Sequence, residues 1–263
     1  MLLQEDSYGI EHTVKILENK VAIVTGASSG IGYATSLALS EAGIRVAVGA
    51  RRTDRLKALE SQIINKNSER EVFIQKLDVS SNSDCNLFVN AVVKKWGKVD
   101  ILINNAGLMP LSYFKNGKVD EWDRMIDVNI KGVLYCTSAA IPYMLNAKSG
   151  HIVNISSVAG RIVFAGGSVY CATKHAITAF SEGLRKELSP KYNIRVTCIE
   201  PGAVSTELLE SITDESMAGF IQATEKMETL QPEDIVNAVL YAIQAPNHVN
   251  VNEILIRPTA QER

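Results

Sequence analysis

Little in this 263-residue sequence marks it for a disulfide, a metal, a nucleic acid or a membrane. Its four cysteines (Cys85, Cys136, Cys171 and Cys198) are widely spaced and form no CxxC pair, which argues against a disulfide scaffold or a redox motif. Residues 1 to 16, MLLQEDSYGIEHTVKI, have neither the positive start nor the apolar core of a secretory signal. Reduced thiols and a cytoplasmic location are therefore expected, with residues 1 to 16 as an N-terminal extension. The four histidines (His12, His151, His175 and His248) show no zinc-ligand spacing, which disfavours a metal-dependent enzyme. A net charge of −2 without a long basic run leaves no electrostatic footprint for nucleic acid or anionic membrane. The longest weakly polar stretch, Gly132 to Leu145, is shorter than the ~20 apolar residues needed to span a bilayer. It holds Thr137, Ser138 and Pro142 and reads as a buried helix.

What the sequence does contain is ordinary globular composition, 46% hydrophobic and 21% charged, in a length suited to one large α/β domain. The run KVAIVT (20–25) is apolar and β-rich and ends in glycine, as a buried parallel strand feeding a turn would. Gly26, Gly30 and Gly32, with Ser28, Ser29 and Ile31 between them, fall where that strand gives way to a helix over Ile31 to Ala42. Glycines there let the backbone turn tightly, approach a pyrophosphate and present helix N-terminal amides to it. A Gly-Ser turn before a helix is also a common plain turn, so the next strand matters.

That strand, Arg45 to Gly49, is followed by Ala50, Arg51 and Arg52. An NAD site places a carboxylate at this distance for the ribose 2′-hydroxyl, whereas arginine suits the 2′-phosphate of NADP(H). Asp54 reads better as an acid in the first turn of the helix TDRLKALESQI. The arginines point to NADP(H); the alternative is plain surface charge at a strand end. Further strands are expected at Glu71 to Leu77, Val99 to Ile103, His151 to Ile155, Ile194 to Ile199 and in the final NEILIRPT, with a long helix over Val119 to Leu145.

The stretch SVYCATKHA places Tyr170 and Lys174 one helical turn apart on one face. A free phenol ionises near ~10, and a neighbouring ammonium favours the phenolate, so the pair is suited to proton transfer. YxxxK alone is also a common coincidence. Strand 151–155 delivers Ser156 and Ser157 to the carboxyl edge of the sheet, where open α/β sheets bind ligands. No GxSxG elbow accompanies them, which disfavours a hydrolase nucleophile.

Thr25-Gly-Ala-Ser-Ser-Gly-Ile-Gly32, Asn104-Asn-Ala-Gly107, Asn129, Ser157 thirteen residues before Tyr170, and Pro201-Gly202 stand in one order and spacing. In these motifs the chain, from about 18 to 258, resembles the short-chain dehydrogenase/reductase family. The resemblance implies a Rossmann-type, doubly wound, three-layer α/β/α single domain over 17–263, with a mainly parallel seven-stranded sheet. It implies that Asp78 and Val79 hold an adenine, although Asp78 also suits a helix cap. It further implies that Asn105, Ala106 and Gly107 line a ribose while Asn104 ties strands together. By the same resemblance Asn129 would open its helix locally and hold a water near Lys174, where the sequence alone suggests a solvent-facing or satisfied core polar residue. Pro201, Gly202, Val204 and Thr206 meet the nicotinamide and lead into a substrate lid over about 205–230. Tyr170 and Lys174 contact the cofactor as well as the substrate.

The expected activity is hydride transfer between NADP(H) and a carbonyl or secondary alcohol, with Asn129, Ser157, Tyr170 and Lys174 as catalytic residues. Leu108, Met109, Val163, Phe164, Leu208, Leu209, Met217, Phe220 and Met227 suggest a mainly apolar pocket. The final strand resembles that of NADP-linked reductases of small hydroxy acids or aldehydes. A catalytically idle NADP(H)-binding module and a purely structural interaction protein are the rivals. The family resemblance also implies a homo-oligomer, tetramer or dimer, built on helices near 120–145 and 170–188. Ala139-Ala140 and Ala172, Ala176 and Ala179 would permit such faces.

Overall fold

The computed structural model describes residues 17–262, so the expected extension over residues 1 to 16 lies outside the described residues. Seven strands form one sheet in the order β3-β2-β1-β4-β5-β6-β7. They are β1 (Val21–Thr25), β2 (Arg45–Ala50), β3 (Val72–Lys76), β4 (Ile101–Asn104), β5 (Gly150–Ile155), β6 (Ile194–Pro201) and β7 (Glu253–Ile256). Every adjacent pair is parallel. The expected strands are all present, with ends displaced by a residue or two.

Burial explains the strand sequences. β1, β4 and β5 are buried at every position, because helices cover both faces of the sheet. Alternate side chains point to opposite layers. Ala22 and Val24 of β1 join Leu39, Leu56, Leu59 and Ile63 of α1 (Gly30–Glu41) and α2 (Thr53–Lys66). Val21 and Ile23 join Phe88 and Val92 of α3 (Asn82–Trp96) on the other side. Ser81 caps α3 by accepting from Asp84 N at 3.2 Å. The helix ends at Gly97, whose φ of +78° suits glycine, just after the cations Lys94 and Lys95.

The expected helix over Val119 to Leu145 is interrupted. It consists of α4 (Val119–Ile126), one π-helical turn (Asp127–Lys131) and α5 (Gly132–Ala147). The turn carries Asn129 at its centre, and the chain can re-enter the α-helix at Gly132 because glycine fits there. A Cβ at that position would lie 2.7 Å from Val79 Cγ2. Ala139 and Ala140, which would permit an interface, are buried in the core. Beyond β5, α6 (Ser168–Tyr192) brings Tyr170 and Lys174 to the carboxyl edge. After β6 the chain makes an excursion pinned at its neck: Ser205 N donates to Leu230 O at 2.8 Å, and Leu230 N to Ala203 O at 3.0 Å. That excursion contains α7 (Ala218–Lys226), and α8 (Pro232–Gln244) follows with a capping box between Gln231 and Asp234. No helix among the described residues is long and apolar enough to cross a membrane.

Below the carboxyl edge runs a buried polar ladder. Asn104 Nδ2 donates to Asn154 Oδ1 at 2.9 Å and to Thr137 Oγ1 at 3.0 Å, and Asn154 Nδ2 donates to Ser181 Oγ at 2.9 Å. Asn104 thus ties β4 to β5 and α5, as expected, and Asn154 extends the tie to α6. Removing the amide of Asn154 leaves buried groups without partners. Asn154→Ala should lower unfolding free energy by about 2–4 kcal/mol in urea titrations with an unchanged m-value.

Candidate active site

The chain order changes direction between β1 and β4, and a cleft of about 400 Å³ opens at the carboxyl ends of these strands. Gly26 turns the chain there with φ +67°, and a Cβ on it would lie 2.7 Å from Ala106 Cα. Thr25 Oγ1 accepts from Asn105 N and Ala106 N, each at 3.1 Å. Asn105 Nδ2 donates to the carbonyls of Thr25 at 3.0 Å and Gly26 at 3.2 Å. The Asn105 side chain therefore clamps the glycine turn. Gly32 stands behind that clamp, since a Cβ on it would lie 2.4 Å from Asn105 Nδ2.

Nearly all sequence-predicted site residues meet in this cleft. Its wall takes in Gly26, Ser28, Ser29, Gly30 and Ile31 from the first turn, and Arg51, Arg52, Asp78 and Val79 from the neighbouring strand ends. Asn105, Ala106 and Gly107 follow β4, while Ser157, Tyr170 and Lys174 form the floor. Pro201, Gly202, Val204 and Thr206 complete it after β6. Gly32 and Asn129 lie behind the wall rather than in it.

Asp78 accepts from Ser80 N at 3.0 Å and Ser80 Oγ at 2.7 Å. These bonds, chiefly that from the Ser80 hydroxyl, hold its carboxyl below the usual range, with a smaller contribution from nearby Arg51. The helix cap foreseen for Asp78 belongs to Ser81 instead. Arg52 directs Nε and Nη2 to Ser28 Oγ at 3.2 and 3.1 Å, and Nη2 to Ser29 Oγ at 2.7 Å.

At the other end of the cleft, Tyr170 is buried and its phenol is pushed up to about 12 by desolvation, against a hydrogen bond with Ser157 that lowers it. Lys174 Nζ donates to the Ile155 carbonyl at 2.9 Å and lies 5.8 Å from the Tyr170 ring centroid. Its own burial brings it down to about 8. Desolvation is the leading cause at the tyrosine, while the Lys174 ammonium is aimed at a strand carbonyl. Ser157 Oγ reaches Pro201 O at 3.3 Å. Ser156 turns the other way, donating to Lys174 O at 3.0 Å. Asn129 pairs with the Leu108 backbone through both amide atoms, each bond 2.9 Å, and reaches Thr173 Oγ1 at 3.2 Å.

A model of the short chain dehydrogenase family matches residues 20–217. The chain belongs to this family. An oxidoreductase of Staphylococcus saprophyticus, itself uncharacterized, is 47% identical over 246 residues, covering 93% of this chain and 98% of that one. A closed-form serine dehydrogenase complexed with NADP+ superposes with a TM-score of 0.85 at 34% identity, over 92% of this chain and 96% of that one. An alcohol dehydrogenase of the archaeon Thermococcus sibiricus complexed with 5-hydroxy-NADP gives 0.81 at 29% identity, over 93% and 98%. This short-chain dehydrogenase is an oxidoreductase with the all-parallel Rossmann-like sheet of its relatives.

Sequence reasoning missed Glu207, Glu210 and Ser211, which also line the cleft. It also missed Arg55, whose Nη1 pairs with Glu207 Oε1. Arg55 lies one turn beyond Arg51 on the helix that was expected, so its proximity was available as a signal; its partner, far along the chain, was not. Val163, expected in the apolar pocket, is 76% exposed. Phe164 instead turns inward and stacks on Phe220 at 5.7 Å.

The buried ammonium has a signature in stability. Because the folded-state value of Lys174 is about 8 rather than the ordinary 10.5, the folded protein binds fewer protons than the unfolded chain between these values. Stability contributed at this site therefore rises with pH across that window. Relative to Lys174→Met, the wild type should gain up to about 3 kcal/mol from pH 7 to pH 10.5, read from paired denaturant curves.

Proposed function

We propose that this protein is an NADP(H)-dependent oxidoreductase that interconverts a carbonyl and a secondary alcohol on a small, fairly apolar substrate. The observation that carries the proposal is the convergence of Ser157, Tyr170 and Lys174 at one end of a cleft whose other end holds Arg51 and Arg52. The cleft fits a dinucleotide. Gly26 and Gly30, with φ of +67° and +55°, keep the first turn free of side chains, and Ser29 leaves the first-turn amides of α1 without a capping side chain. Arg51 and Arg52 would meet a 2′-phosphate, Asp78 and Val79 an adenine, and Val204 and Thr206 the nicotinamide half. The NADP-bound relatives support this choice over NAD. The bound dinucleotide supplies the hydride.

The chain's own residues supply the proton and the orientation. Ser157 and Tyr170 hold the substrate oxygen, and the Tyr170 phenol, kept protonated by burial, gives its proton to the developing alkoxide. Lys174 supplies positive charge beside that oxygen and returns the phenol to its protonated form. Asn129 fixes the Leu108 backbone and so the side of the pocket on which the substrate lies. The excursion over about 205–230 serves as a lid. It is fastened to the opposite wall by Ser211 Oγ, which accepts from Met109 N at 3.1 Å, and by Asp214, which accepts from Asn116 Nδ2 at 2.7 Å. Leu108, Met109 and Leu208 give its interior an apolar lining. Exposed Leu87 on α3 and Leu134 on α5 offer apolar area for a homo-oligomer in the cytoplasm.

Tyr170→Phe should bind NADPH as the wild type does and lose turnover by about 10²–10⁴-fold on any carbonyl that the wild type reduces; unchanged turnover removes Tyr170 as the acid. Titration with NADPH and NADH, followed by protein fluorescence, should show tighter NADPH binding. Equal binding removes the role of the arginines. For reduction, kcat/KM should be level up to about pH 8 and fall above it as Lys174 loses its proton. Lys174→Arg, which does not titrate there, should show low activity without that alkaline limb.

A further inference from the structure

Two arginines of the adenine end converge on one carboxylate from the lid. Glu207 Oε2 accepts from Arg52 Nη1 at 2.8 Å, and Glu207 Oε1 pairs with Arg55 Nη1. These pairs hold the Glu207 carboxyl down at about 2, so it is ionised throughout the working range. Glu207 opens the short 3-10 turn Glu207–Ser211, directly after Thr206, which caps that turn by accepting from Leu208 N at 3.3 Å. Thr206 in turn lies against the glycine turn: a Cβ on Gly30 would stand 3.0 Å from Thr206 Cγ2. Arg51, Arg52, Thr206 and Glu207 all line the same cleft.

The guanidinium of Arg52 is divided between two tasks. Its Nε and Nη2 face the serines of the glycine turn, and Nη1 faces Glu207. A phosphate dianion arriving at this end meets an anion already seated on the donors that match it. Two anions on one fork repel, so one must leave. Glu207 is the mobile partner, because its bonds lie on a half-exposed surface where ion pairs are weak.

We propose that Glu207 is a built-in occupant of the 2′-phosphate subsite, holding Arg52 and Arg55 until a phosphate-bearing ribose displaces it and frees the first turn of the lid. This rests on the NADP(H) reading given above, and it adds a function for the lid: the same carboxylate that tempers phosphate binding latches the lid to the cofactor site. A ribose with a free 2′-hydroxyl leaves the latch fastened.

The test uses the full chain, with adenosine 2′,5′-bisphosphate and adenosine 5′-monophosphate as paired probes beside NADPH and NADH. Glu207→Gln keeps the shape and removes the charge. It should tighten NADPH and the 2′,5′-bisphosphate roughly three- to tenfold, the scale of one or two exposed ion pairs, while NADH and the monophosphate change little. Weaker binding of the 2′-phosphate ligands in Glu207→Gln, or an equal change for both classes, overturns the proposal. As a second readout, amide hydrogen exchange over 206–211 in the wild type should quicken with the 2′,5′-bisphosphate and not with the monophosphate. Slower or unchanged exchange with the bisphosphate also overturns it. The wild-type ratio of NADPH to NADH affinity tests the cofactor reading by itself, whereas the change in that ratio on Glu207→Gln tests the latch. The two can therefore fail separately.

Discussion

An ammonium group kept inside the protein governs the geometry of the end of the cleft where Tyr170 lies. Lys174 is buried, and its Nζ hydrogen bond to the Ile155 carbonyl ties α6 to the last residue of β5. A buried charge is tolerated only where bonds and shape replace part of its hydration. The neighbourhood is built accordingly. A Cβ on Gly107 would lie 3.9 Å from Nζ and 3.4 Å from Asn129 Oδ1, so the loop after β4 packs within ordinary contact distance of both polar groups. The π-helical turn sets Asn129 to hold the Leu108 backbone, and the loop after β4 is thereby fixed at the edge of the cleft. Tyr170, one helical turn from Lys174, is carried into its buried position by the same helix.

The glycine-turn end of the cleft depends on a different set of groups. Thr25 and Asn105 make four bonds between the end of β1 and the start of the loop after β4. These bonds tie together the ends of two neighbouring strands whose connections run to opposite faces of the sheet, the point at which the cleft opens. The side chains of this clamp belong to the architecture, and the cleft wall at the first turn itself is formed by small residues, Gly26, Ser28, Ser29 and Gly30.

Much of this was legible in the chain. Apolar runs such as VAIVT and HIVNI read directly as strands because both faces of a parallel sheet are covered. The spacing of Tyr170 and Lys174 placed them together because helical geometry fixes it. The interrupted helix was legible only through resemblance: the apolar pattern runs on across Asn129, and the π-helical turn answers to a partner, Leu108, that periodicity does not reveal. Asn105 was read as a ribose contact, and the structure adds a clamp on the glycine turn that the sequence did not announce. The Glu207 pairs with Arg52 and Arg55 join residues more than 150 positions apart, and nothing local in ELLES announces them. Val163 shows the opposite failure: an apolar residue beside the site that simply faces water.

The neck of the excursion after β6 has an implication for divergence. Because the backbone bonds between Ala203, Ser205 and Leu230 close it at its base, the intervening segment leaves and rejoins the fold at one point. The entropic cost of closing such a loop grows only slowly with its length. A longer or shorter segment can be carried between the same two anchor points, so the covering over this side of the cleft can be rewritten in one stretch of chain without altering the sheet.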